Sequence, residues 1–274
     1  MKKLFILLLT FLGLLIFKGC DVCSSYPTEQ LKYPAKTGNQ WEYHTTMTIE
    51  YYDTLGNISS VETLDLGNTI VKIESENDTL NGEQHFVLFT SYDLSTPGNI
   101  HKSWYSNPDS GFYVIAYSNA GSSQPILPKG MNLNSQIITG LVNSKSMQLF
   151  IPVSFNNNLS DSVYYFDSPR KALKYPLIIG SRWLELEYPF YRERFVNEKA
   201  NIEVSAGTFG CYKVESEWNN PFTNPLIFTD YISLQVGLVK RYFSVDSLAH
   251  ITELGDTIGY FKSTSISELV NKNF

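Results

Sequence analysis

From residue 32 onward the apolar side chains recur at every second position in short runs, and Gly, Pro, Asn and Asp break the runs apart. Alternation of that kind puts apolar groups on one face of an extended chain and polar groups on the other, so the pattern predicts strands. The expected strands cover Glu42 to Ile49, Asn68 to Glu74, Glu83 to Tyr92 and Ser146 to Phe155. Lys102 to Tyr105 and Phe112 to Tyr117 read as a hairpin across Asn107-Pro108-Asp109-Ser110-Gly111. Ile202 to Val204 and Phe209 to Glu215 read as another, reversing at Ala206-Gly207-Thr208. In its second strand Tyr212 and Val214 point to the buried face, with Cys211, Lys213 and Glu215 on the wetter one. Only Ile266 to Asn271 has spacing compatible with a helix in the body. Fold class is therefore mainly β: an antiparallel curved sheet or a partly open barrel.

A repeat organises these strands. Lys32-Tyr33-Pro34-x3-Gly38-x2-Trp41 returns as Lys174-Tyr175-Pro176-x3-Gly180-x2-Trp183 with identical spacing. Pro cannot donate to a ladder, so Pro34 and Pro176 belong just ahead of a strand. Gly38 and Gly180 permit a tight turn. Trp41 and Trp183 then open strands and anchor them in the core, a role we weigh above that of a ligand platform. The polar stretch from Asn156 to Ser162 suggests a break between halves. The expected layout is a first half over 32–165, a second over 166–265 and a tail over 266–274.

The N-terminus carries an address. Met1-Lys2-Lys3 precedes an apolar run from Leu4 to Phe17, followed by Lys18-Gly19-Cys20. That run spans about 21 Å as a helix, short of a hydrocarbon core of about 30 Å. The layout is that of a secretory signal. The Gly-Cys pair resembles the bacterial lipoprotein signal, which implies removal of residues 1–19, lipid on Cys20 and a linker over 20–31. The same run also reads as an uncleaved anchor or an ordinary signal peptide. The lipoprotein reading implies a membrane-anchored protein of the bacterial cell envelope.

Val204-Ser205-Ala206-Gly207-Thr208-Phe209-Gly210-Cys211-Tyr212-Lys213-Val214 is followed by Asp230-Tyr231-Ile232 and by Val236-Gly237-Leu238-Val239-Lys240-Arg241. With the preceding Tyr175-Pro176 element, residues 174–243 resemble the TapB-like group of bacterial cell-envelope β domains. The resemblance implies a β fold in the envelope and no particular chemistry. Gly237 is expected at a bulge or a close approach of backbone.

Charge and chemistry narrow the function. The 274 residues carry a net charge of -6, which leaves no basic field for nucleic acid. His44, His85, His101 and His250 show no metal-ligand spacing. No nucleophile elbow, phosphate loop or dinucleotide fingerprint occurs. Cys23 and Cys211 either pair in an oxidising envelope or stay apart, Cys211 being then a small residue in a strand. We expect no catalytic residues, no metal and no cofactor. The leading expectation is a non-enzymatic envelope protein with a structural or protein-interaction role. A carrier of a lipid or other apolar ligand in a β groove is the second reading, and a hydrolase with a dispersed site the third. The expected partners are the membrane, through lipid on Cys20, and an envelope protein or apolar ligand.

Overall fold

The computed structural model describes residues 31–95, 97–98, 100–118, 163–187, 191–219, 226–251 and 257–274. They lie in one compact unit, Leu31–Phe274. Strands account for most of them, and no helix occurs among them. In chain order these are β1 (Gln40–Tyr52), β2 (Ile58–Leu80), β3 (Glu83–Asp93), β4 (His101–Ser106), β5 (Gly111–Ser118), β6 (Val163–Lys174), β7 (Arg182–Leu186), β8 (Tyr191–Val204), β9 (Gly207–Asn219), β10 (Leu226–Ser233), β11 (Gly237–Ile251) and β12 (Thr257–Asn273).

All twelve form one antiparallel sheet, ordered β6-β5-β4-β3-β2-β1-β12-β11-β10-β9-β8-β7. The chain thus builds two six-stranded meanders, β1–β6 and β7–β12, fused along the β1/β12 ladder. β6 and β7 are consecutive in sequence yet occupy opposite edges. The short connection over 175–181 forces the sheet to roll until those edges approach. Side chains then bridge the gap. Trp183 Nε1 donates to Lys171 O at 3.0 Å, and Arg194 Nη1 donates to Ala172 O at 3.2 Å. Backbone acceptors of β6 that a ladder would satisfy are satisfied by β7 and β8 side chains instead. No ladder joins β6 to β7, so the sheet is curved and incompletely closed, in agreement with the expected class.

The core lies on the inner face of the roll. β1 shows the alternation plainly: Trp41, Tyr43, Thr45, Met47 and Ile49 are buried, and the residues between them are half-exposed. Val71 and Ile73 of β2, Phe89 of β3, Tyr105 of β4 and Phe112 and Val114 of β5 continue that core. Val196, Val214 and Ile232 line it from the second meander.

Three details depart from expectation. Ile266 to Asn271 is strand, not helix: β12 continues through it, with Ile266 opposite Thr46 and Leu269 opposite Tyr43. In so short a window Ile266 and Leu269 suit a helical stripe as well as an edge of the core, and pairing with β1 decides. The 165/166 and 265/266 divisions fall inside β6 and β12, whereas the meanders divide at the connection before Arg182. In β9, Val214 is buried as expected, but Cys211 on the other face is buried too. The β8–β9 turn packs back on the sheet there, Ala206 N donating to Leu269 O at 3.2 Å. The expected strand over 146–155 and the polar stretch after it lie outside the described residues, as do Cys20 and Cys23.

Candidate functional site

The two copies of the strand-opening motif fold alike. Gly38 and Gly180 take φ values of 91° and 83°, a region where a side chain is strained. Asn39 N donates to Lys36 O at 3.1 Å, and Ser181 N to Ile178 O at 2.9 Å. Gly38 N reaches Ile73 O at 2.9 Å, and Gly180 N reaches Val196 O at 2.8 Å. Ile73 N and Val196 N return bonds to Asn39 O and Ser181 O. Each turn is thereby pinned to the second strand of its meander. Pro34 is half-buried and Pro176 exposed, and the Tyr175–Pro176 bond is cis.

The tyrosines of the two copies meet. Tyr33 N donates to Tyr175 Oη at 2.8 Å. The Tyr175 hydroxyl donates to Asn107 Oδ1 at 3.0 Å, and Asn107 Nδ2 donates to Tyr33 O at 3.1 Å. Tyr33 Oη accepts from Leu238 N at 3.2 Å, and Trp41 Nε1 donates to Val236 O. Gly237 lies between those contacts with φ at 97°. A Cβ on Gly237 would come within 2.7 Å of Tyr33 Oη and 3.3 Å of Trp41 Nε1. Tyr33 stacks on Phe112 at 4.9 Å, and Phe112 stacks on Tyr105 at 4.7 Å. Burial pushes the phenols of Tyr33, Tyr43 and Tyr105 above their ordinary value. These rings fill the first meander's interior as satisfied core groups.

Motif reading missed a charge cluster in which the second meander meets β6, the edge of the first. Arg170 on β6, Glu185 on β7, Arg192 and Arg194 on β8, Asp230 on β10 and Arg241 on β11 are all buried. Arg170 Nη2 donates to Glu185 Oε1 at 2.7 Å, and Arg192 Nη2 reaches the same oxygen. Arg194 Nη2 donates to Asp230 Oδ2 at 2.7 Å, and Arg241 Nε to Asp230 Oδ1 at 2.7 Å. The Phe228 ring packs among the guanidiniums of Arg241, Arg194 and Arg192, at 4.8, 5.6 and 5.8 Å from its centre. Burial alone would raise the Glu185 carboxyl. The charges of Arg192, Arg170 and Arg194 outweigh it and hold that carboxyl at about 2. Asp230 is likewise lowered: burial opposes ionisation, and Arg241 and Arg194 override it. Burial pulls Arg192 down to about 9, which leaves it cationic at neutral pH. Two ionised carboxylates locked among guanidiniums hold charge but cannot donate a proton near pH 7. Glu185 Oε2 and Ser216 Oγ are buried with no hydrogen-bond partner. The sequence signal was polar residues at inward positions, Arg192 and Arg194 two apart on one strand, but inward and outward cannot be told apart before the register is known.

The other singled-out residues are scattered. Trp183 is buried at the β6–β7 seam. Gly207 takes φ of 126° at the β8–β9 turn, and Phe209 packs partly on the core. Cys211 is buried and makes no disulfide among the described residues; its S–H contacts Phe209 O at 3.4 Å, and burial pushes it up to about 12. His44 bonds Asn68 Oδ1 at 2.7 Å on the outer face. Tyr51 and His250 meet at a tilt, with centroids 5.7 Å apart, near the ends of β1 and β11. No cluster of three His, Cys, Asp or Glu placed to hold a metal occurs among the described residues.

No family model matches the chain, so the likeness of 174–243 to the TapB-like group finds no support there. No curated protein matches either. Two solved structures overlap it. One, from Bacteroides fragilis, is a protein classed as exported with a YmcC-like fold. It is 12% identical with a TM-score of 0.34, and the match covers 89% of this chain and 100% of that one. The other, from Parabacteroides distasonis, is a protein classed as a lipoprotein. It is 13% identical with a TM-score of 0.29, and the match covers 88% of this chain and 97% of that one.

Proposed function

We propose that this chain is a lipid-anchored protein of the bacterial cell envelope whose role is protein interaction or structural support, without catalysis. The observation that carries the non-enzymatic part is the packed interior of the roll. Stacked rings fill its first half, and its second half holds carboxylates that stay ionised at neutral pH. A carrier needs room inside its sheet, and acid–base chemistry needs a group that titrates near the working pH. The envelope address rests on the apolar run and the Gly19-Cys20 pair. Lipid there adds about 0.8 kcal/mol of membrane attachment per buried methylene.

Two measurements on the full chain test this reading. A radiolabelled fatty acid should be incorporated, and Cys20→Ala should abolish the label; label that survives the change sinks the lipoprotein assignment. Native mass spectrometry of the chain released gently from membranes should give the mass of protein plus anchor. A reproducible further mass that organic extraction removes would put the carrier reading first.

A further inference from the structure

The proposed interaction role leaves open which surface is used. At the end of the sheet where β1 and β2 turn into each other, β2 runs past its neighbour. β3 pairs with β2 only from Thr69 onward, through Thr69 opposite Asp93. Ile58 to Gly67 therefore pairs with β1 on one side and with no strand on the other among the described residues. Among the described residues this is an open ladder of backbone donors and acceptors, the feature that accepts an added strand. It runs from about 13 to about 36 Å along β1 from Trp41, at about 3.3 Å per residue.

Its side chains define what fits. Ile58 opposite Tyr52 and Val61 opposite Glu50 share the outer face, and both are strongly exposed, at 60% and 57%. Leu55 in the turn is 85% exposed. On the inner face Leu64 packs on Met47, Ile49 and Phe261. From Thr46 to Asn68 the chain carries Glu50, Asp53, Glu62 and Asp65 and no Lys or Arg. Glu62, opposite Ile49 on the inner face, and Asp65, opposite Thr46 on the outer face, are both exposed along this edge. A second copy pairing through the same edge would bring these carboxylates together, and an anionic bilayer would repel them.

We infer that the open edge of β2, Ile58 to Asp65, is a docking site for an extended, basic segment of a partner protein. The segment adds as a strand, sets an apolar side chain against Ile58 and Val61 on the outer face, and places Lys or Arg beside Asp65 on that face and beside Glu62 on the inner one. This rests on the interaction role proposed above. Main-chain bonds supply the attachment, and alternating side chains supply selectivity.

The test replaces Val61, or Ile178 as a control, with a photoreactive residue in the full chain, in cells that make it. Ile178 is similarly exposed, at 58%, but lies in the connection between the meanders. The expected result is a discrete protein adduct from position 61 and none from 178, with the attached peptide rich in Lys or Arg and containing apolar residues. Glu62→Lys should cut the yield of that adduct about tenfold without changing the melting temperature. A synthetic copy of the captured peptide should bind the purified chain and lose affinity by a similar factor in the same variant. A captured segment without basic residues, lipid adducts alone, or indifference to Glu62→Lys overturns the inference. Protein adducts from 178 but not from 61 overturn this surface and leave the interaction role standing. No protein adduct from either position removes both.

Discussion

The two meanders share strand number, winding and an identical turn ahead of the first strand, yet their interiors differ in kind. Rings fill the first: Tyr33, Trp41, Phe89, Tyr105 and Phe112 lie in mutual contact. The second adds to its apolar core a cluster of charges, where Glu185 and Asp230 hold guanidiniums from β8 and β11 around Phe228 and reach Arg170 on β6 across the seam. Ring packing gains from apolar area removed from water and tolerates small shifts. A buried ion cluster gains little net stability, since desolvation offsets attraction, but it is intolerant of losing one member. That intolerance falls where the fold needs definition. Arg170–Glu185 crosses the seam between β6 and β7, which no ladder closes. Arg194 touches both Asp230 and the β6 carbonyl of Ala172.

The contrast breaks most sharply at Glu185. Glu185→Gln keeps the shape and strips the charge that neutralises Arg170 and Arg192. It should cost about 3–5 kcal/mol, the scale for leaving a buried charge uncompensated. Phe112→Leu in the ring-filled half should cost only about 1–2 kcal/mol, a partial loss of buried volume and stacking. Urea unfolding at pH 7 measures both, and equal losses would mean the interiors are not different in kind. Replacing Arg170, Glu185 and Arg192 together by Leu, Met and Leu should recover most of the Glu185→Gln loss.

Acid and alkali should separate the halves next. The Glu185 carboxyl is held at about 2 in the fold against about 4.3 when unfolded. Between those values the unfolded chain binds more protons, so stability is complete above about pH 4.3 and drains away as pH falls toward 2. Two pKa units correspond to about 3 kcal/mol, and lowered Asp230 acts in the same direction. The buried tyrosines act oppositely. Tyr33, Tyr43 and Tyr105 are raised by burial, so their contribution is intact below about pH 10 and lost as pH rises beyond it. Urea midpoints across pH 2–11 check this. Glu185→Gln should flatten the acid limb.

How much of this was legible beforehand differs between the halves. The alternation in Glu42 to Ile49 and in Glu83 to Tyr92 placed β1 and β3 near their observed bounds, because one face of each is buried and the other is wet. The motif at Tyr33 to Trp41 marked a strand entrance because Pro, Gly and Trp each restrict the backbone or the packing. The order of strands was not legible: the β1/β12 ladder joins residues more than two hundred apart, and no local signal encodes that. The charge cluster stayed hidden for the same reason. Glu185, Arg192 and Asp230 read as ordinary surface charges until the roll turns their faces inward. Cys211 was expected on a wetter face, and its burial was not legible because the packing of the β8–β9 turn is a tertiary event.

The smallest test compares two glycines with similar backbone angles and different surroundings. Gly180 has φ of 83° with nothing within 4 Å of where a methyl would sit, whereas Gly237 has φ of 97° with Tyr33 and Trp41 against it. Gly180→Ala meets only the left-handed backbone penalty and should cost about 1 kcal/mol. Gly237→Ala meets that penalty and must also displace the Tyr33 ring, which is stacked on Phe112 and bonded to Leu238 N. Overpacking adds about 1–3 kcal/mol, so Gly237→Ala should be the worse of the two by that margin. Tyr33→Phe removes the hydroxyl nearest the new methyl and should shrink the difference when combined with Gly237→Ala in a double-mutant cycle. Equal costs for the two glycines, or no coupling to Tyr33, would mean that the first motif is not wedged against β11. The two copies would then differ only in what surrounds them and not in what they hold.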